Sequence, residues 1–596
     1  MDKSKITKSL AVFASVLLII IIGVASFAYF GTFNVNLNNN VAVNINSSSP
    51  GNATFTSNAT QLNLQVPAAN MSFTVANNEV AAASNTAFLD VTLTGSQNLL
   101  TTCTYDIVYE YDAGSNVYGQ GTTTKTGDAT KEITIEVNGM NGNNHFATET
   151  NFDHANIQGY YDSTNKYYKL VEGATIKSLG STQSVRWKII GRYYNLDVSQ
   201  AQLGGKNFTG KIYAISKGCS SEDGTTVKKG YETILANNGG AASMTTLTST
   251  DFAKVTTASD KGMYKAQDDL GTSYYFRGAV DNNWVKYGKY TKDTYITADS
   301  NNNISLVESC NGLNLCAKIA SKGDDMYWRI IRINGDNSIR MIYTGTSAPD
   351  NNTKVVMTES TNSSGYIRAT SAGMSKFNQN SNSAEYVGYM YTIGEQHGTS
   401  KSSDIKTYLE DWYVNYTDLN KTGTQITDQI YCNDRTASTS RVAYSTTNYT
   451  TLTSWNSTGT YYNYGAEGRI VEDNNPMLTC AVDSDRFTVD KINGKGNSAL
   501  TYPIGLITID ELEMAGNKWN ESNTSYYLHT GANYWAGSPI GFYGGNVAYG
   551  FSVYGDGRLF DSSTVVDTYF VRGVVSLSSD AKLLGSGTYN DVYIVS

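Results

Sequence analysis

The sequence predicts a mainly β protein with a few helices, and three observations carry that prediction. Short runs in which apolar and polar side chains alternate recur along the chain, the period-two signature of a strand with two different faces. Asn-Gly and Gly-Asp-Gly clusters separate such runs, supplying residues that accept positive φ where the chain must reverse. Composition agrees: 44 Tyr against 18 Phe suits β faces that meet water, and only 6 Pro in 596 residues exclude Pro-rich linkers. The chain is long enough for several domains with real cores. Charged residues are 16% and the formal net charge is -9, which argues against nucleic acid as a partner.

At the amino end Lys3, Lys5 and Lys8 precede an uncharged run, LAVFASVLLIIIIGVASFAYF at Leu10–Phe30. About 20 apolar residues span a bilayer as a helix, and a basic flank stays in the cytoplasm. Residues 1–33 therefore read as a cytoplasmic tip and transmembrane anchor, which puts the rest outside the cell membrane. Ser26-Phe27-Ala28 offers the small residues of a cleavage site, so a signal peptide is the competing reading; it exports the remainder equally. Residues 34–51 are rich in Asn, Ser and Ala, with little to bury, and read as a stalk or a first ragged strand.

Residues 52–222 carry alternating runs at Phe88–Leu93, Cys103–Tyr111, Lys131–Val137, Val185–Ile190 and Lys211–Ile215. Many short strands with turns between them suggest a β-sandwich resembling immunoglobulin-like spacer domains. Gly205–Lys211 (GKNFTGK) imitates a phosphate-binding loop, but Ile212 replaces the required Ser/Thr and a strand pattern follows, so it is dismissed.

The second unit spans 228–596. Tyr327–Ile333 and Ser338–Tyr343 flank Asn334-Gly335-Asp336-Asn337, a strong hairpin signal. Two helices are expected. In Asp404–Tyr416, the residues Ile405, Tyr408, Leu409, Trp412, Tyr413 and Tyr416 recur at helical spacing, with Ser402 or Ser403 as cap. The other opens on Thr508-Ile509-Asp510-Glu511, a capping box, and stops at Gly516-Asn517.

The motifs "SYYFRGAVDNNWVKYG", "YWRIIRINGDNSIRMIY", "IKTYLEDWYVN", "YCNDR", "TYPIGLITIDELEMAG", "YWAGSP" and "VRGVVSL" resemble, in order, those of surface proteins of gut Firmicutes. The resemblance covers 228–596 and implies a carboxy-terminal α+β domain similar to the C-type-lectin-like fold shared with formylglycine-generating enzymes. One departure is visible: the family pattern ends in Val-Arg-Pro-Val, where this chain has Val571-Arg572-Gly573-Val574, and a Gly there loosens the backbone.

Enzyme chemistry does not follow from that resemblance. Formylglycine-generating enzymes need late reactive cysteines, and the last cysteine here is Cys480. His145, His154, His397 and His529 are scattered, without metal-ligand spacing or a nucleophile motif. Calcium-dependent lectins typically carry Glu-Pro-Asn or Gln-Pro-Asp, of which Asn475-Pro476 is only a loose echo. No catalytic residue, metal site or cofactor is therefore assigned.

The most suggestive stretch is 530–577. Val547, Tyr549, Phe551 and Val553 alternate with Ala548, Gly550, Ser552 and Tyr554, and Gly555-Asp556-Gly557 then turns the chain. Among these framework positions lie Phe542, Tyr543, Asn546, Tyr554, Arg558, Phe560, Asp561, Ser562, Asp567, Tyr569 and Phe570. Tyr, Asn, Ser, Asp and Gly on loops are the vocabulary of recognition surfaces. These residues are expected to be exposed on one ligand-binding face, above buried Trp535, Pro539, Phe551, Val553, Leu559 and Val571. The interleaving also resembles the variable regions of proteins diversified by retroelements, which often use the same fold. An even cysteine count in an exported chain predicts Cys432–Cys480 within one domain, a local Cys310–Cys316 loop, and Cys103–Cys219 stapling the sandwich.

The leading reading is a membrane-anchored protein that binds or adheres to an extracellular protein or glycan. The alternatives are a structural or pilin-like surface subunit and an exported enzyme resembling the formylglycine-generating class.

Overall fold

A computed structural model describes residues 41–46, 52–65, 81, 83–95, 98–111, 132–139, 141–194, 205–224, 226–299, 303–312, 316–349, 372–421, 423–439, 462–543 and 547–596. The fold is mainly β. Residues 1–227 with Ser596 form one compact unit and Lys228–Val595 another. Among the described residues no helix is long and apolar enough to cross a membrane. The Leu10–Phe30 run lies outside them.

In the amino-terminal unit two six-stranded antiparallel sheets enclose one apolar core. The first is built around Ala83–Thr94 and Thr182–Tyr193, paired along their full length, and Val41–Asn46 closes its edge against Asn52–Ser57. The second is built around Leu99–Tyr111, flanked by Tyr167–Leu179 and Asn207–Asp223. Alternation decides what goes inside: Leu89, Val91 and Leu93 face Cys103, Tyr105 and Ile107 across the core. Trp187 Nε1 donates to the Tyr105 hydroxyl at 3.0 Å, tying the sheets through a buried bond. The Cys103–Cys219 disulfide forms, but it links neighbouring strands of one sheet rather than the two sheets.

The second unit holds a nine-stranded and a six-stranded sheet beside a three-stranded sheet and two strand pairs. Asp325–Ile333 is central to the larger sheet and pairs with Ile339–Gly345 through the expected turn, in which Asn337 adopts a φ of 70°. The closing strand Tyr593–Val595 runs parallel to Trp284–Lys289. Both expected helices form. Asp404–Asp411 is capped by Ser403, whose hydroxyl accepts from the Lys406 N–H, and continues as a π turn through Trp412–Tyr416. Ile509–Met514 has the full capping box: Thr508 Oγ1 accepts from the Glu511 N–H and Glu511 Oε2 from the Thr508 N–H. A further helix, Gly230–Asn237, carried no periodic signal. Cys310–Cys316 and Cys432–Cys480 both form. Gly573 does more than loosen the chain, because a Cβ there would lie 3.1 Å from the Trp412 ring.

Candidate functional site

The stretch that the sequence marks out becomes the smaller sheet of the second unit. Its order is Met374–Lys376, Thr568–Phe570, Tyr534–Tyr543, Val547–Val553 and Leu559–Thr564, with Tyr462–Asn463 pairing beside Phe542. Gly557, at φ 84°, makes the turn before Arg558; a Cβ there would collide with the Asn523 carbonyl.

The frame is buried where alternation requires it: Trp535, Phe551, Val553, Leu559 and Val571 are all fully enclosed, as is Pro539. Trp535 donates from Nε1 to the Ser375 carbonyl at 2.9 Å and packs edge-on against Phe377. None of the described residues expected to be exposed is so: Tyr543, Tyr554, Arg558, Phe560, Asp567 and Tyr569 are partly buried, and two more are closed off altogether. Phe542 is 0% exposed and Phe570 is 2% exposed. The reason is that Tyr534–Tyr543 is an interior strand covered on both faces, and Phe570 lies between Met374 and Tyr534 as their partner in the sheet.

The half-exposed residues fall into two groups rather than one face. Tyr554 packs on Phe560 in a tilted arrangement at 4.2 Å and meets Tyr569 edge-on at 6.3 Å. The Arg558 guanidinium lies over both Tyr554, at 5.2 Å, and Phe560, at 5.4 Å, with Asp556 3.5 Å from its Nε. Tyr569 also packs on the buried Trp535 at 4.9 Å, and burial raises its phenol above the ordinary value. Tyr543 pairs instead with Tyr549 at 5.3 Å. A Cβ on Gly550 would touch the Trp535 ring, so Gly550 points to that side and its neighbour Tyr549 to the other. Asp567 serves its own turn, accepting from the Thr564 N–H at 2.8 Å. Asn546 lies outside the described residues, as do the side chains of Asp561 and Ser562.

Sequence reasoning missed a set of buried ion pairs beneath this region. Arg332 bonds Asp268 at 2.6 Å and Glu511 at 2.9 Å, and Arg340 reaches the same Glu511 oxygen at 2.7 Å. Burial by itself would raise the Glu511 carboxyl, but the two guanidiniums hold it below its ordinary value. Arg469 pairs with Asp434 and Asp510, and the set surrounds a cavity of about 20 Å³, room for roughly one water. This is scaffold chemistry, since every charge already has its partner. His397 faces Asp485 at 3.0 Å, but that carboxylate is fully buried and bound by Arg435. Among the described residues no group of three or more His, Cys, Asp or Glu is placed to hold a metal ion.

Compared with protein-family models, curated proteins and solved structures, the chain matches none of them.

Proposed function

We propose that the protein is a membrane-anchored extracellular binding or adhesion protein, its carboxy-terminal unit a C-type-lectin-like scaffold and its amino-terminal unit an immunoglobulin-like spacer. The observation that carries this reading is the Tyr554–Phe560–Tyr569 group around Arg558. Three aromatic rings and a guanidinium are only partly buried there, above the enclosed Trp535, Phe551, Val553 and Leu559. Aromatic rings and arginine are the side chains that most often dominate binding energy at interfaces. Three disulfides in one chain suit export. The closed frame beneath them also suits diversification by a retroelement, because changing a half-exposed residue leaves the core intact.

The test is an array of extracellular proteins and glycans probed with the full-length protein and with Tyr554→Ser. Capture that falls at least tenfold in the variant supports the reading. If Tyr554→Ser and Tyr569→Ser leave the capture of every bound protein and glycan untouched, this face is rejected as the site. Diversification has a separate readout: a nearby reverse transcriptase gene and a near-copy of the segment encoding 530–577.

A further inference from the structure

A groove of about 390 Å³ opens beside this sheet in the same unit, within the roughly 300–1,000 Å³ of small-ligand pockets. One wall is the helix Asp404–Asp411, the other is the strand Ile304–Val307, and Met374–Lys376 lies at its base. The strand at the base is the edge of the recognition sheet, with Lys376 opposite Thr568. Helical spacing aims one stripe into the groove: Asp404, Thr407, Tyr408 and Asp411 fall at i, i+3, i+4 and i+7.

The lining has a definite chemistry. Ile304, Leu306 and Tyr408 supply an apolar strip. Asp404 and Asp411 are acceptors, Lys376 and the Gln379 amide are donors, the Ser305 hydroxyl can do either, and Thr407 Oγ1, which donates to the Ser403 carbonyl at 3.0 Å, can accept. Lys376 Nζ lies 3.3 Å from Asn303 Oδ1 at the rim. Burial raises the Asp404 carboxyl above its ordinary value against the pull of Lys376 and a Gln379 N–H. Its Oδ2 has no hydrogen-bond partner among the described residues.

We infer that this groove binds a neutral, hydroxyl-rich ligand, a short saccharide. Two carboxylates repel an anion, and Lys376, which acts on the Asp404 carboxylate, disfavours a polyamine. A sugar ring presents what this lining answers: an apolar C–H face for the strip, and hydroxyls that each donate and accept. The site is separate from the Tyr554 group and stands whether or not that group binds anything.

An array of neutral gluco-, galacto- and manno-oligosaccharides, with sialylated glycans and spermidine as counter-probes, tests this on the full-length protein. Thr407→Trp fills the groove from an exposed helix position, so its unfolding curve should superimpose on that of the parent. The expected result is binding of neutral glycans that drops at least tenfold in Thr407→Trp and in Asp404→Asn. Absence of any neutral glycan binding, preference for spermidine or sialylated glycans, or Thr407→Trp binding like the parent overturns the inference. Glycan binding lost in Tyr554→Ser but kept in Thr407→Trp overturns it too, and assigns the sugar to the aromatic group.

Discussion

Two aromatic clusters of this chain have nearly the same composition and opposite environments. In the amino-terminal unit Tyr109, Phe152, Tyr168 and Phe208 pack within 5.1 to 5.6 Å of one another in pairs such as Phe152–Tyr168 and Tyr109–Phe208. All four are enclosed between two sheets. Gly210 makes room there, since a Cβ on it would lie 2.1 Å from the Tyr109 ring. In the carboxy-terminal unit Tyr554 meets Phe560 at 4.2 Å and Tyr569 at 6.3 Å, and all three rings remain partly exposed. Tyrosine content therefore does not mark a binding surface. What separates the clusters is whether a second sheet covers the rings, and that is decided by strands distant in sequence.

The largest effects come from removing enclosed rings. Phe152→Ala in the first cluster and Trp535→Ala beneath the second should each cost about 3–5 kcal/mol in denaturant unfolding, as loss of a buried aromatic does. Phe542→Ser belongs in the same class, although its position in the sequence suggested an open face. A loss below about 1 kcal/mol for Phe542→Ser would return it to the surface and erase the distinction between frame and face.

Charge sharpens the comparison. The partly exposed Arg186–Asp90 pair typifies ion pairing in the amino-terminal unit, whereas the second unit buries Glu513 completely. Neither Glu513 carboxylate oxygen has a hydrogen-bond partner among the described residues. Burial first, then the Asp510 carboxylate, pushes its pKa up to about 9, so the folded protein holds a proton there that the unfolded chain releases near 4.5. Between those values the folded state binds more protons than the unfolded one, and stability falls as pH rises across that window. Glu513→Gln should remove this slope. It should stabilise by on the order of 3 kcal/mol at pH 7 and change little at pH 4. Parallel stability–pH curves for parent and variant between pH 5 and 9 would falsify this account.

Local rules explain what was legible. The hairpin at Asn334–Asn337 and the Thr508–Glu511 capping box are written in adjacent residues, and both form as spaced. The Gly230–Asn237 helix was not, because it opens on glycine behind Lys229 and buries only Gly230 and Ile234. Phe542 misled for a different reason: a strand covered on both faces no longer tells the solvent side by alternation, whereas Phe570 is enclosed between Met374 and Tyr534, partners distant in sequence. Arg332 reads as the polar face of a strand, but its partner Glu511 lies 179 residues away. No pattern within a strand announces such a partner. The groove was equally hidden, as its two walls come from segments around 305 and 407, which only the fold brings together.

The smallest effect on stability is the most informative for function. Tyr554 keeps one face open, and its contacts are with Phe560, Tyr569 and Arg558, themselves half-exposed. Tyr554→Ser removes one close aromatic pair and part of a cation–π contact, terms of roughly 0.5–1.5 and 0.5–1 kcal/mol that water partly replaces at a surface. The net cost should stay below about 1 kcal/mol. Tyr109→Ser in the amino-terminal cluster, the same substitution between two sheets, should cost several times as much because it leaves a cavity. Measuring the pair by urea unfolding compares the two environments with the chemistry held constant. Equal costs would mean that Tyr554 is structural, and the recognition group would lose its central ring. A small cost at Tyr554 with undiminished ligand capture would leave the ring exposed for another reason. Only a small cost joined to a large loss of capture makes this group the place where the protein meets its partner.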